Sequence, residues 1–280
     1  MASNQTRAQV RPNVLGGLLG TFWLLVTIVP IYYIVVTSLR PRSAYYTENP
    51  LSWPAHPTLQ SYHEVLAANF GMYFLNSVIV TVVATATVVF ISLLAAYVIV
   101  RNRRPASLKL FSVLLLGIAI PLQGVIIPVY YLIVQIGLYD TLWAIILPAI
   151  AFAIPITVLI LVNFLRDVPN ELFESMRLDG ATDWRMLWRL VVPLSKPAII
   201  TVAIYDALNV WNGFLFPLIL TQSSDKRVLP LSLWTFQGDF TTNIPAVLAA
   251  VVLSVLPMLA AYAVGRRQLV SGLTAGAVKG

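Results

Sequence analysis

The stretch Met72–Val100, MYFLNSVIVTVVATATVVFISLLAAYVIV, decides the fold of this chain. It runs for 29 residues without a Lys, Arg, His, Asp or Glu. An α-helix crosses the roughly 30 Å of a bilayer's hydrocarbon core with about 20 apolar residues, whereas a barrel strand needs only about 9–11. Because backbone groups inside lipid must be hydrogen-bonded within the segment, the stretch predicts a membrane-spanning helix.

Five further apolar blocks predict an all-α integral membrane protein with six transmembrane helices. The other blocks are Val14–Ser38, Leu110–Ile136, Thr141–Phe164, Ala198–Thr221 and Ile244–Gly265. Prolines inside the blocks predict kinked helices that pack against their neighbours. These prolines are Pro121, Pro128, Pro148, Pro155, Pro217 and Pro257. The first block exceeds the 7–15 apolar residues of a signal peptide, so it is predicted to be a retained span.

The composition of the chain agrees with a membrane protein and excludes several other classes. Of its 280 residues, 59% are hydrophobic and 10% are charged, whereas an ordinary soluble domain carries about 25% charge. The chain has no cysteine, which excludes disulfides, thiolate metal sites and cysteine nucleophiles. The net charge of +7 does not indicate nucleic-acid binding, because the basic residues stand in short clusters between apolar blocks.

The distribution of lysine and arginine predicts that both termini lie in the cytoplasm. Cytoplasmic loops carry an excess of these residues. With the N-terminus inside, only four of the 18 fall in outer segments, namely Arg40, Arg42, Lys226 and Arg227. Residues 1–13 and 266–280 then become cytoplasmic tails of a transmembrane domain over 14–265. The outer segment Leu39–Gly71 is expected to be a turn-rich loop, and a polar cytoplasmic loop occupies about 165–197.

That cytoplasmic loop contains ELFESMRLDGATDWRMLWRLVVPLSKP, Glu171–Pro197, and it predicts two short helices. Pro169 suits the first turn of a helix, where its missing N–H removes no hydrogen bond. Gly180 suits a helix end in the left-handed conformation. Either Thr182 or Asp183 can cap the second helix.

An apolar stripe at helical spacing follows in the second helix, and two interpretations of it stay open. The stripe consists of Trp184, Leu187, Trp188 and Val191, with Arg185 and Arg189 away from its centre. Such a stripe suits a helix that lies on another surface. The loop is either an amphipathic element on the membrane, with its basic face toward anionic headgroups, or a docking element for a cytoplasmic partner. The tryptophans favour the first interpretation, and the acidic residues with Gly180 favour the second.

The segment ESMRLDGATDWRMLWRLVVPLSKPAI resembles the EAA loop of permease subunits in bacterial ATP-binding-cassette (ABC) importers. The family pattern is roughly E-A-A-x-x-D-G-A, then a spacer, then L-P-L-x-x-P. The matching residues are Glu174, Asp179, Gly180, Ala181, Pro193, Leu194 and Pro197. Ser175 and Met176 replace the paired alanines of the family, a departure that bears on how the docking helix packs.

Other segments extend the resemblance over nearly the whole chain and narrow it to carbohydrate-uptake permeases of the maltose and glycerol-phosphate type. They are VPIYYIVVTSLRP (Val29–Pro41), NSVIVTVVATATVVFISLLAAYVIVR (Asn76–Arg101), IPLQGVIIPVYYLIVQIGLYDTLWAIILP (Ile120–Pro148) and WNGFLFPLILT (Trp211–Thr221). The resemblance implies the type I ABC importer permease fold. It also implies that the protein lies in the bacterial cell membrane.

The resemblance also implies partners and a coupling site. In this family two permease subunits form the pathway, two ATPase subunits beneath them hold ATP and Mg, and a binding protein delivers the solute. The chain has no G-x-x-x-x-G-K-[ST] phosphate loop, so it is expected to be a non-catalytic subunit without its own cofactor. The implied coupling residues are Glu171, Glu174, Ser175, Met176, Leu178, Asp179, Gly180 and Ala181.

The fifth block carries the main candidate for a solute pathway. Its single acid, Asp206, is costly in lipid, and such residues usually face a cavity or a partner. At about 100° per residue, one helical arc of about 120° collects Tyr205, Asp206, Asn209, Asn212, Gly213 and Phe216. These residue types suit a sugar pathway, although hydrogen bonds between helices explain them equally.

Two further residues complete the candidates for the pathway, and one aromatic residue of the fifth block is set apart from them. Gln123 and Tyr130 share a face of the third predicted helix and are added as pathway candidates. Trp211 points roughly opposite the polar arc of the fifth block, so it is predicted either to pack within the fold or to face lipid.

The residues alone leave other functions open. An ion-coupled secondary transporter would need several carboxylates around its ion, and Asp206 is a single one. A membrane enzyme would need a cluster of catalytic groups, yet His56 and His63 stand in the outer loop without acidic partners. An importer for glycerol phosphate, amino acids or peptides would share the coupling loop and differ only in the flanking motifs.

Overall fold

The computed structural model describes residues 14–102, 104–236 and 242–277, and its regular elements in these ranges are helices. The prediction of an all-α fold is therefore confirmed. In chain order the α-helices are α1 (Val14–Ser38), α2 (Gln60–Ala67), α3 (Phe70–Arg101), α4 (Pro105–Leu116), α5 (Ile126–Gln135), α6 (Leu142–Arg166), α7 (Asn170–Leu178), α8 (Asp183–Met186), α9 (Val192–Leu194), α10 (Lys196–Trp211), α11 (Leu215–Leu220), α12 (Leu229–Ser232) and α13 (Ile244–Ala277). Shorter elements are the 3-10 helices Gly117–Ala119, Leu122–Val125, Ser224–Lys226 and Leu233–Phe236, and the π-helical turn Leu187–Val191.

Four of the six predicted spans lie on single helices. In the described part of the chain, α1, α3 and α6 are each long and apolar enough to cross a membrane. The last predicted block lies on α13, which continues past Gly265 to Ala277. Most of the segment predicted as the tail 266–280 therefore prolongs this helix. The predicted tail 1–13 lies outside the described residues.

The third predicted span, Leu110–Ile136, is wrong as one helix. The helical stretch that ends at Ala119 meets the stretch that begins at Leu122 at an angle of 95°. Pro121 lacks an N–H and disfavours the helical conformation of the residue before it. Ile120 is accordingly extended, with φ −83° and ψ 112°. The proline that predicts a kink thus turns the chain by about a right angle.

The fifth predicted span, Ala198–Thr221, is also broken. α10 ends at Trp211, and α11 begins only at Leu215. Gly213 lies in the break, where an added Cβ would stand 3.0 Å from the carbonyl oxygen of Val210. The prediction of one continuous helical arc across this block is therefore wrong beyond the end of α10.

The helices are held together by the packing of α3 against α6 and of α10 against both. Small residues on α3 allow close approach, since Ala84 and Ala96 are fully buried, as is Val88 between them. In lipid, tight packing of small residues is a main source of helix association. One buried cluster continues from these helices into the loop 165–197, where it includes Phe173 and Leu187. The loop is therefore part of the folded core.

The outer segment between α1 and α3 is folded around the buried guanidinium of Arg40, so the expected loop is only partly correct. Arg40 is 0% exposed, and its Nε lies 3.1 Å from the carboxylate of Glu48. It also donates to the carbonyl oxygens of Asn49 and Ser52, at 3.0 and 2.8 Å. A buried cation needs partners of this kind. The segment also contains helix α2, which the sequence did not predict.

We expect Gly117→Ala to destabilise the contact between the α4 end and α6. An added Cβ would lie 2.9 Å from Cγ of Pro155, and a proline ring cannot rotate away. Overpacking of this kind costs about 1–3 kcal/mol, so the midpoint of thermal unfolding in detergent should fall. Gly71→Ala is the matched control, because nothing lies within 4 Å of its added Cβ. An equal change in both variants would contradict the contact.

Candidate functional site: the cytoplasmic loop and a membrane cavity

The first loop helix, α7, ends at a glycine as predicted. Gly180 has φ +74°, a value that L-residues with side chains rarely adopt. Its N–H donates to the carbonyl of Arg177 at 3.0 Å, and the N–H of Ala181 donates to Met176 at 2.9 Å. This pair of bonds is the Schellman motif. It reverses the chain direction so that Thr182 can cap α8, its Oγ1 accepting from the N–H of Arg185 at 3.3 Å.

One face of α7 is anchored in the membrane domain. Phe173 is 2% exposed, and the guanidinium of Arg101, at the end of α3, stands 4.0 Å from its ring centroid. The same guanidinium donates to Oδ1 of Asn170 at 2.9 Å. Met176, one turn after Phe173, also packs against the core. Sequence reasoning missed Phe173 and Arg101, although the spacing of Phe173 and Met176 was a signal for an inward face.

The other face of α7 is exposed and carries most of the predicted coupling residues. Leu178 is 89% exposed, the largest exposed fraction among the large hydrophobic side chains of the described residues. The remaining exposed members are Glu171, Glu174, Ser175, Asp179 and Gly180. Met176 and Ala181 differ, because they are half-buried and pack against the core cluster. The predicted coupling set therefore divides into an outward surface and an inward anchor.

The apolar stripe of the second loop helix also divides. Leu187 and Val191 are buried in the core cluster, whereas Trp184 and Trp188 are 58% and 41% exposed. The two tryptophan rings meet edge to face at 5.6 Å. A π-helical turn over Leu187–Val191 rotates the later residues relative to a regular helix. Half of the stripe thus serves packing within the chain, and the exposed half is left for another surface.

Asp183 ties the two loop helices to α3. Its Oδ1 accepts from the hydroxyl of Tyr97 at 3.2 Å and lies 3.0 Å from the guanidinium of Arg177. Tyr97 is near the C-terminal end of α3, and Arg177 is in the last turn of α7. Motion of the loop is therefore linked to α3 through side chains on both loop helices.

A cavity of about 320 Å³ lies among α6, α10 and α11. Five of the predicted pathway residues line it, namely Tyr205, Asp206, Asn209, Gly213 and Phe216. Its opposite wall is apolar and aromatic, with Phe152 of α6 and Leu122 from the break of the third block. The cavity thus lies where two broken helices meet the unbroken α6.

Three predicted pathway residues do not line this cavity. Asn212 follows the end of α10 and lines a different cavity of about 300 Å³ beside Trp211; its amide donates to the carbonyl of Leu208 at 2.8 Å. Gln123 is exposed in a 3-10 helix. Tyr130 packs against Tyr139, with ring centroids 5.6 Å apart, in the cluster behind Phe216. The predicted arc assumed a regular helix through residue 216, but α10 ends at Trp211, so Asn212 lies beside a different cavity.

Asp206 both borders the cavity and bonds between helices. Asp206 is only 1% exposed. The hydroxyl of Thr157, on α6, donates to its two carboxylate oxygens at 3.1 and 2.9 Å. Sequence reasoning missed Thr157, although it is the only Ser, Thr or Tyr between Leu142 and Phe164. The two interpretations of the polar arc, pathway and interhelical bonding, therefore apply to the same carboxylate.

Trp211 packs within the fold, the first of its two predicted roles. It is 6% exposed, its Nε1 donates to the carbonyl of Ser254 on α13 at 3.1 Å, and its ring meets Phe74 edge to face at 6.0 Å. The two histidines, His56 and His63, are exposed. Within the described residues, no three His, Asp or Glu side chains come together in a group that could hold a metal ion.

This architecture, with a loop helix anchored beneath broken spans that enclose a cavity, is that of a type I ABC importer permease. The structure superposes with a TM-score of 0.79 on a solved bacterial ABC transporter involved in import of the acidic polysaccharide alginate, at 20% identity over 91% of this chain and 95% of that one. The likeness shows the fold that the resemblance implied.

The chain belongs to the family of binding-protein-dependent transport system inner membrane components, whose model matches residues 88–269. It is 39% identical to a putative ABC transporter permease of Caldicellulosiruptor sp. strain Rt8B.4, over 92% of this chain and 94% of the relative. It is 33% identical to a diacetylchitobiose uptake system permease of Streptomyces coelicolor, over 91% of this chain and 85% of the relative. The protein is therefore a permease subunit in an inner membrane, and ATP hydrolysis belongs to a separate subunit.

We expect Thr157→Val to destabilise the protein, because it removes the donor to the buried Asp206 carboxylate while nearly keeping the side chain's volume. An unsatisfied buried polar group costs about 1–3 kcal/mol, and more when it is charged. The loss should appear as a lower midpoint of thermal unfolding in detergent. Thr157→Ser retains the hydroxyl and should unfold close to the parent protein. If both variants lose the same stability, the hydroxyl–carboxylate bond contributes nothing measurable.

Proposed function

We propose that this chain moves a sugar or oligosaccharide from a binding protein into the cytoplasm. The transport is driven by ATPase subunits that bind α7. One observation carries the proposal. α7 has one side fixed in the core through Phe173 and the other side open, with Leu178 89% exposed. A helix built in this way can bind a partner without rearranging its own anchor. A partner bound to this side of α7 would cover Leu178.

The anchor of α7 explains how a movement of the partner would reach the pathway. Phe173, Leu187 and Val202 belong to one buried cluster that joins the loop to α3, α6 and α10. Packed interiors resist continuous deformation and move as units. A displacement of α7 by nucleotide-dependent closure of the ATPases would therefore displace α10, which lines the cavity through Tyr205 and Asn209.

The proposed substrate class rests on the lining of the cavity. Phe152, Phe214 and Phe216 offer ring faces, and Asn209 and Asp206 are the amide and carboxylate among the lining residues. Rings cover the apolar face of a sugar, and a few polar groups orient its hydroxyls. No Lys, Arg or His is among the described residues that line the cavity. A phosphate or another anionic group would find no cationic partner there, which supports a neutral saccharide over glycerol phosphate.

The proposed assembly has a second permease subunit, two ATPase subunits that hold ATP and Mg, and an extracytoplasmic binding protein. Membership of a family of binding-protein-dependent transport systems supports the last of these. The diacetylchitobiose uptake relative supports a saccharide. The excess of lysine and arginine in alternate loops supports cytoplasmic N- and C-termini. These termini place α7 on the side where ATP is available.

The experiment that tests the function is uptake under separate loss of ATP and of the proton gradient. In cells that express the complete importer, uptake of labelled diacetylchitobiose or maltose should stop when ATP is depleted. It should continue when an uncoupler collapses the proton gradient while ATP is maintained. The reverse pattern would favour an ion-coupled secondary transporter and would leave Asp206 as its ion-binding carboxylate.

We expect Leu178→Ser and Phe173→Ala to separate coupling from stability. Leu178 is 89% exposed and Phe173 only 2%, so the first change removes no internal contact, while the second leaves a cavity. Phe→Ala in a core costs about 3–5 kcal/mol. Leu178→Ser should keep the thermal unfolding midpoint of the chain but lower co-purification of the ATPase and coupled uptake.

Phe173→Ala should lower the thermal midpoint itself. The proposal fails for α7 if Leu178→Ser retains the ATPase and full uptake, because the exposed leucine would then have no role in binding it. Lys109→Met, at an exposed position before the third block, is a control for changes elsewhere on the cytoplasmic side.

A further inference from the structure

Asp140 joins two segments at the outer end of the cavity that are far apart in sequence. It follows α5 and precedes α6, and its carboxylate accepts from the main-chain N–H groups of Gln222 and Ser223 at 2.8 and 2.9 Å. The hydroxyl of Ser223 donates to its second oxygen. The main-chain N–H of Asp140 donates to the carbonyl of Leu220 at 3.0 Å. We call Asp140, Gln222 and Ser223 the outer clamp.

The backbone at Asp140 is held in the conformation that this contact requires. Its φ is +60°, in the left-handed region that Asp and Asn occupy more readily than most other residues. In this conformation the N–H of Asp140 points toward Leu220, the last residue of α11, and its carboxylate points toward the two residues Gln222 and Ser223. A single residue therefore provides one donor and a two-oxygen acceptor to the same short segment.

The segment that the outer clamp holds forms a wall of the cavity. α11 lies between the break at Gly213 and the clamped residues, and Phe216 and Pro217 of this helix line the cavity. The ring of Phe216 meets Phe152 of α6 with centroids 5.6 Å apart. Because α11 has only six residues and follows a break, few main-chain bonds fix it to α10. The outer clamp is the polar connection between its far end and the α5–α6 turn.

We propose that Asp140 is a positioning residue that holds α11 as the outer wall of the cavity, so that the outer clamp must open before a solute can enter from outside. The inference rests on the orientation and the pathway proposed above. Asp140 is not among the residues that line the cavity. It affects the cavity through the position of α11. Binding protein docked at the outer surface would open the wall by competing for the exposed partners of the outer clamp.

The clamp is not expected to respond to ordinary changes of pH. The hydroxyl of Ser223 and the N–H groups of Gln222 and Ser223 hold the pKa of Asp140 below its ordinary value. A group with a lowered pKa contributes its stabilisation above its ordinary pKa, about 3.9 for aspartate, and loses it as the pH falls through the lowered value. The outer clamp is therefore intact throughout the neutral range, and a change of pH within that range does not open it.

A single engineered thiol can test this inference, because the chain has no cysteine. Ala153→Cys places a thiol in the cavity lining, and Ser43→Cys places one in the exposed outer segment. Spheroplasts that express the complete importer, with cysteine-free partner subunits, are treated from outside with a membrane-impermeant sulfonated maleimide. The measured quantity is the labelling rate at Ala153→Cys divided by the rate at Ser43→Cys.

Asp140→Asn should raise this ratio about tenfold, which corresponds to about 1.4 kcal/mol of clamp free energy. Ser223→Ala removes one donor and keeps the charge, so it should raise the ratio by less. Asp225→Asn is the matched control: its carboxylate lies two residues after Ser223 and pairs with Lys226 at 2.6 Å. It should leave the ratio unchanged.

The inference is overturned if Asp140→Asn and Ser223→Ala both label at the parent rate, or if Asp225→Asn raises the ratio as much as Asp140→Asn. Should Asp140→Asn fail to assemble, Ser223→Ala alone decides. A wrong orientation has a different signature, since Ser43→Cys would then be protected from the external reagent. A wrong energy source would appear only in the uptake experiment, so the two failures are distinguishable.

Discussion

The structure depends on one constraint: a polar backbone inside a bilayer must find partners, so a helix can break there only where protein surrounds the break. Two predicted spans break, one after Ile120 and the other after Trp211. Both breaks adjoin the same cavity, since Leu122 follows one and Gly213 lies in the other. The cavity is therefore a consequence of where the helices are interrupted. The unbroken α3 and α6 form the frame that makes the interruptions tolerable.

Sequence patterns predicted the all-α fold and the apolar blocks that form the long helices α1, α3 and α6, because hydrophobicity over about 20 residues is a strong local signal. They also predicted the end of α7 at Gly180, since few other residues adopt its backbone conformation. They did not predict the break after Trp211, because nothing local distinguishes a kink from a full interruption. Asn212, at the break, lines the neighbouring cavity beside Trp211, whereas Asp206 and Asn209, before the break, line the cavity among α6, α10 and α11.

The contacts that the sequence did not predict are those between distant segments. Phe173 and Arg101 are 72 positions apart and meet only because α7 folds back beneath α3. Thr157 and Asp206 lie on different spans, and their bond depends on the rotation of α6 and α10 about their axes. Such pairings require the tertiary arrangement, for which a single sequence contains little information. On α10, Asp206 accepts a hydrogen bond from Thr157 and also lines the cavity. The type of residue alone therefore does not distinguish a role in packing from a role in transport.

The length of α3 has a consequence for the surrounding lipid. Its 32 residues extend about 48 Å, which exceeds the roughly 30 Å of hydrocarbon in a typical bilayer. Toward its C-terminal end, Leu93, Ala96 and Ile99 are buried in the cluster that includes Phe173 and Leu187 of the loop. Protein therefore takes the place of acyl chains as the neighbour of these last turns. This packing reduces the apolar surface that a bilayer would otherwise have to match in thickness.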